Sequence, residues 1–395
     1  MRQQTPSFSV QEYRSRLQKV RAAMVKRQLD TLIIHDPANM AWLTGYDGWS
    51  FYTPQVVVVG PSGQPIWFGR HMDSNGAKRT VYLAEENITW YPDYYVMNPP
   101  LNAMEYLANQ ELKPRDWAYG RIGVEMDSTY FTPAAYFALQ THLPNATLVD
   151  ADGLVNACRA IKSTTELRYM RIAARIVEKM HEAALDIMEP GLPKHHLIAE
   201  ISRVATLGYD GHAGDYPSMV PMAPSGRDTS APHLTWDERP LNYNEGTFLE
   251  LAGCHKRYHA ILCRTVYLGQ PTSNYLRAEE ALNEGLAAGL AVAKPGNRCS
   301  DIANALNATL AKYGFCRAGA RCGYPIGLSY PPDWGERSMS LRNSDHTILK
   351  AGMTFHFMPG LWLDDWGMET TESLVITPSG GETLCNYPRQ LFVKK

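Results

Sequence analysis

The chain has 395 residues, 45% apolar and 20% charged, an ordinary balance for a folded protein too long for a single hydrophobic core. A formal net charge of −2, with no Lys/Arg-rich run, argues against nucleic acid or an anionic membrane surface as partner, and no apolar stretch reaches the ~18 residues of a membrane span. Seven cysteines, an odd number with no C-x-x-C pair, and an N-terminus without a signal-peptide core point to reduced thiols in a cytoplasmic protein.

Val10, Tyr13, Leu17, Val20 and Met24 recur at three- and four-residue steps, which predicts a helix with one buried face. TLIIHD (31–36) and QVVVVG (55–60) read as short buried strands, the second closed by the turn sequence PSGQP. A helix over 101–111 and a strand over 146–152 complete a first α/β domain, assigned to 1–158. The strongest boundary signal follows. Ser163 and Glu166 have capping-box spacing, Leu167, Met170, Ala174, Val177 and Ala184 keep helical period, and Pro190-Gly191 ends the run. Beyond it the pattern predicts helices at 193–206, 276–294 and 299–313. Strands are expected within 246–269 and at 353–359 and 370–377, so 159–395 reads as an α+β domain.

Several phrases then carry a resemblance. IKSTTELRYMRIAARI opens the second domain, followed in order by PSMVPMAPSGRDTSAPH (217–233), GTFLELAGCHKRYHAILCRTVYLG (246–269), GYPIGL (323–328), GMTFHFMPG (352–360) and TTESLVIT (370–377). Together they resemble the creatinase/aminopeptidase P, or pita-bread, catalytic domain, and 1–158 suits the α/β domain that precedes it in creatinase and prolidase. The resemblance implies a homodimer in which the N-terminal domain lends a loop, here GYDGWSFY (45–52), to the neighbouring site.

Peptidases of this family hold two metal ions with two Asp, one His and two Glu. Counting along the matched motifs places Glu250 and Ile261 at the Asp positions, Tyr324 and Pro331 at the two His positions of that stretch, and Met358 at a Glu position. The last Glu falls at Glu372 counting forward from Met358, or at Thr371 counting back from Thr377. Ile and Met offer no hard oxygen donor, so a dinuclear site is not expected and no cofactor is assigned.

Creatinase is the family precedent for chemistry without metal, on a guanidinium carbon. The segments at 322–342 and 353–373 are further similar to the ectoine hydrolases, which implies opening of a cyclic amidine, a small zwitterion with a carboxylate. A creatinase-like amidinohydrolase, a dimethylsulfoniopropionate lyase and a non-catalytic binding protein are the alternatives. Under the resemblance, Glu250, His233 and Glu372 are the expected catalytic residues. Glu250 would serve as base or nucleophile and His233 as proton donor to the departing ring nitrogen. Tyr52, Tyr324, His356, Trp362 and His259 are the expected substrate-binding residues, the aromatics facing the cation. Arg70-His71 is a further candidate for the substrate carboxylate across the dimer.

Overall fold

The computed structural model describes residues 6–317 and 319–395 and divides the chain into two compact units, Met1–Arg159 and Ala160–Lys395. The first unit is built on a six-stranded sheet of β1 (Thr31–Ile34), β2 (Val56–Val59), β3 (Ile66–Arg70), β4 (Ile88–Tyr91), β5 (Gly120–Val124) and β6 (Ala146–Asp150), in the order β4-β3-β2-β1-β5-β6. Side chains on successive strand residues go to opposite faces, and two cores result. Leu32, Ile34, Val57, Val59 and Trp67 enter one, while Ile33, Val56, Val58, Ile66 and Phe68 enter the other. Helices α1 (Val10–Lys26), α2 (Pro37–Thr44), α3 (His71–Thr80), α4 (Ala103–Tyr106), α5 (Pro133–His142) and α6 (Leu154–Arg159) complete the unit. Along α1, Tyr13, Leu17, Val20 and Met24 are buried as the periodicity requires, but Val10 at its first turn is exposed.

In the second unit, α7 (Thr164–Ile187) opens with the expected capping box: the Ser163 hydroxyl accepts from Glu166 N–H and the Glu166 carboxylate accepts from Ser163 N–H. Next come α8 (Lys194–Leu207) and a long hairpin, β7 (Glu245–His255) and β8 (Tyr258–Leu268), buried along nearly its whole length. Helix α7 lies on this hairpin closely enough that a Cβ at Gly253 would collide with the Ala173 carbonyl. Helices α9 (Ser273–Val292) and α10 (Cys299–Lys312) pack their apolar faces on Phe355, Phe357, Leu374 and Ile376.

The remaining strands are β9 (Gly323–Tyr330), β10 (Asp333–Gly335), β11 (Thr354–Phe357), β12 (Gly360–Trp362), β13 (Gly367–Glu369), β14 (Glu372–Thr377), β15 (Gly380–Thr383) and β16 (Phe392–Lys394). The large sheet runs β15-β14-β11-β9-β8-β16, with β7 paired to β8 and β10 to β9, while β12 and β13 form a separate ribbon. The described cysteines are all free thiols. Among the described residues no helix is long and apolar enough to cross a membrane.

Candidate active site

A cavity of about 380 Å³ opens within the second unit, in the size range of small-molecule sites. Its acids are Glu250 on β7, Glu369 at the end of β13, and Asp333 on β10. Glu250 is fixed by its backbone, which exchanges two hydrogen bonds with Met222, and it faces Cys263 across the β7–β8 ladder. The Thr265 hydroxyl holds Glu369 by donating to its carbonyl and accepting from its N–H.

Burial raises the Glu250 carboxyl well above the ordinary carboxylate value, and the charge of Glu369 adds to it. Burial likewise lifts Glu369 to about 7, partly offset by the Cys263 thiol and Arg317. Neither Glu369 oxygen makes a hydrogen bond to a nitrogen or oxygen among the described residues. The charge of Glu369 acts on Glu250, so the two buried carboxyls titrate as a pair, both above the ordinary carboxylate value. Asp333 is occupied otherwise, accepting from Gly335 N–H and facing Arg337.

Tyr324 on β9 is register partner to His356 on β11, and its hydroxyl sits 2.9 Å from His356 Nδ1. The Trp334 indole N–H can only donate, so the Tyr324 hydroxyl accepts from it and keeps its own proton to give. Burial lowers His356 to about 3, so this imidazole is neutral; its Nδ1 lies 4.0 Å from Glu250. His356 is thus behind the cavity wall, one hydrogen bond from it. Trp362 on β12 lines the cavity beside Met358, and the Arg317 guanidinium stands 5.3 Å from the Trp362 ring centroid. His233 is exposed and lines the cavity next to Pro232.

The structure therefore brings together Glu250, His233, Tyr324 and Trp362, with His356 adjacent. It does not bring in Glu372. That carboxylate is buried away from the cavity, 2.7 Å from Arg264 and 3.0 Å from Arg389, and is a strand clamp. The expected catalytic role of Glu372 is corrected on that ground: its charge is already spent on two guanidinium groups. His259 is corrected likewise. Its ring takes up Ser218 N–H and the Ser218 hydroxyl on one nitrogen and meets the Arg257 carbonyl with the other, so it ties a loop to β8. Tyr52 lies in the first unit, 59% exposed, its hydroxyl accepting from Arg70, and it is not part of this cavity. Arg70 also pairs with Asp73, and His71 faces Asp93, both within the first unit.

Sequence reasoning missed Glu369 and Arg317. No spacing signal marked Glu369, because Thr370 and Thr371 interrupt the run between β13 and β14.

Against this geometry, residues 168–378 match the model of metallopeptidase family M24, and residues 16–161 match that of the creatinase/prolidase N-terminal domain. The chain belongs to metallopeptidase family M24. It is 59% identical to the ectoine hydrolase of Halomonas elongata over 98% of both chains, and 24% identical to a Bacillus creatinase over 97% of this chain and 92% of the other. The fold matches the prolidase of Thermococcus sibiricus with a TM-score of 0.83, at 18% identity, over 96% of this chain and 99% of that one. M24 membership and the ectoine hydrolase relative make the chain a hydrolase of carbon–nitrogen bonds, with a creatinase-type N-terminal domain and a pita-bread catalytic domain.

The M24 name implies metal, and the donor set here does not fit it. Where the family pattern expects ligands, Ile261 and Met358 supply none, and Tyr324 is committed to Trp334 and His356. Among the described residues no three His, Cys, Asp or Glu side chains gather in a metal-binding arrangement. With Asp333 engaged by Gly335 N–H and Arg337, Glu250 and Glu369 make a sparse donor set for a divalent ion.

Proposed function

We propose that this chain hydrolyses ectoine, opening the cyclic amidine to N-acetyl-2,4-diaminobutyrate by side-chain acid–base chemistry without a metal ion. The observation that carries this reading is the Glu250–Glu369 pair: two buried carboxyls in one cavity, neither ion-paired to Lys or Arg among the described residues. The extent of the similarity to a named ectoine hydrolase supports the choice of substrate.

An amidinium cation is planar and carries N–H donors, so an ionised carboxylate of the pair accepts from it and orients the ring. That carboxylate then takes a proton from water as the water adds to the amidine carbon, or adds itself and is later released by water. The protonated partner gives its proton to the ring nitrogen as the carbon–nitrogen bond breaks. The products are an amide and an amine, with one water consumed. Tyr324 and Trp362 supply π-faces for the cation, and His233 at the rim is a second proton carrier. The same reading takes the protein as a homodimer, the exposed Trp49 and Tyr52 of the first unit being the contributed surface. Its free thiols fit a reducing compartment such as the cytoplasm.

The test uses chelator-treated protein with ectoine, creatine, dimethylsulfoniopropionate and an X-Pro dipeptide, following products by mass. Ectoine is expected to turn over at a rate the chelator leaves unchanged. E250Q and E369Q should each lower kcat by about 10²- to 10⁴-fold, and sedimentation of the same sample should give the mass of two chains. X-Pro cleavage restored by added metal, or full activity in both variants, would sink the reading.

A further inference from the structure

Arg317 is a guanidinium in the wall of the active cavity without a carboxylate partner. Nη1 donates to the Met358 carbonyl at 2.8 Å and Nη2 to the Arg321 carbonyl at 3.0 Å, which fixes the plane of the group. Its Nε–H is buried and makes no hydrogen bond, and no acid lies within ion-pair distance of it among the described residues. The charge of Glu369 acts on Arg317 from the same cavity, but the two make no direct ion pair among the described residues. Arg317 is half-buried, and a buried donor left unused, as its Nε–H is, is costly unless something pairs with it. The lowering of its pKa by burial is the same cost seen from the proton's side. Arg321 also lines the cavity, but it is exposed and stacks over Tyr324, 4.6 Å from the ring centroid, so water serves it.

We propose that Arg317 is the anchor for the substrate's carboxylate, which makes the site selective for zwitterionic amidines over bare amidinium cations. This rests on the ectoine reading above and deepens it. The acid pair takes the amidinium end of the ring and Arg317 the carboxylate end, so one rigid molecule gives each of these groups a direct partner at once. A ring lacking the carboxylate leaves the guanidinium buried and unpaired, and sites built around a polar partner reject analogues that lack it far more strongly than apolar pockets do. The alternative is that Arg317 merely ties its loop to the Met358 turn through the two carbonyl bonds.

Steady-state kinetics of the full-length enzyme, R317Q and R317K with two substrates separate these roles. The substrates are ectoine and the same cyclic amidine without its carboxylate. Wild-type enzyme should prefer ectoine by about 100-fold or more in kcat/KM. R317Q should raise KM for ectoine on the order of 100-fold while KM for the decarboxylated ring stays within about twofold, collapsing the preference. R317K, which keeps charge without the fixed fork, should fall between. An R317Q defect equal for both rings, or an unchanged KM for ectoine, overturns the assignment while leaving the ectoine reading intact. Failure of wild-type enzyme to open either ring overturns both.

Discussion

Tyr324 serves two buried polar neighbours with one oxygen, accepting from the Trp334 indole and facing His356 Nδ1. Replacing it with Phe leaves the volume almost unchanged and strands both partners away from water. Leaving buried polar groups unsatisfied costs about 1–3 kcal/mol, so Y324F should lose on the order of that much stability in denaturant unfolding. The same variant should slow ectoine opening, because His356 and the cavity wall lose their tether beside Glu250. Wild-type stability in Y324F would show that the hydroxyl carries no structural weight. At this scale the sequence was half legible. Glu250 and Tyr324 are reached by matching the family's motifs to positions, and Trp362 by its place directly after the MPG turn. Glu369 is not, since β13 ends and β14 begins across Thr370-Thr371, and counting along one uniform strand steps past the residue that carries the acid. Arg317 was illegible because its importance lies in what it lacks, a partner, and only three-dimensional packing reveals that.

The strands that carry the site are held by a contact that spacing alone made resemble chemistry. Arg264 of β8 and Glu372 of β14 are both essentially inaccessible to solvent, and Arg264 also donates to the Thr371, Cys263 and Pro388 carbonyls. Such a cluster binds strands distant in sequence through charge-assisted hydrogen bonds. Removing one partner of a buried pair typically costs about 3–5 kcal/mol, because the other charge is left without compensation. E372Q should therefore lower the unfolding midpoint markedly yet retain near-wild-type kcat on ectoine at temperatures where it stays folded. A variant that is stable and inactive would return Glu372 to the catalytic group. The long elements were readable in advance: α7 combines helical period with a capping box and a Pro-Gly stop, and α9, α10 and the strand-rich stretch 246–269 are long enough for their pattern to register. Short strands such as β10, β12 and β13, each of three residues, hold too few positions for a period to register. It is these short strands that bring Asp333, Trp362 and Glu369 to the cavity.

Across the whole molecule, two sets of buried titratable groups set the pH range of stability. Burial lowers His35, His181 and His356 to about 3 and His259 to about 4. Below the ordinary histidine value of 6.5 the unfolded chain binds protons that these four refuse, so stability falls as the solution is acidified toward pH 3–4. The carboxyls act in the opposite sense. Burial raises Glu125 to about 8 and Glu369 to about 7, and Glu250 is raised as well. Above the ordinary value of 4.5 the folded chain keeps protons that the unfolded chain has released, so stability falls as pH climbs from there to about 8. Between about pH 4.5 and 6.5 the two slopes oppose, the lowered histidines acting against the raised carboxyls. Melting temperatures across pH 4 to 9 should thus pass through a summit between about pH 5 and 6.5 and decline on both sides. The first unit holds one group of each kind, His35 and Glu125, and the second holds the rest. Even if the two units melt separately, both transitions should shift in the same direction with pH. A summit at or above about pH 8 would mean that these carboxyls are ionised at little cost in the fold, and the protonated partner assigned to the Glu250–Glu369 pair would have no basis.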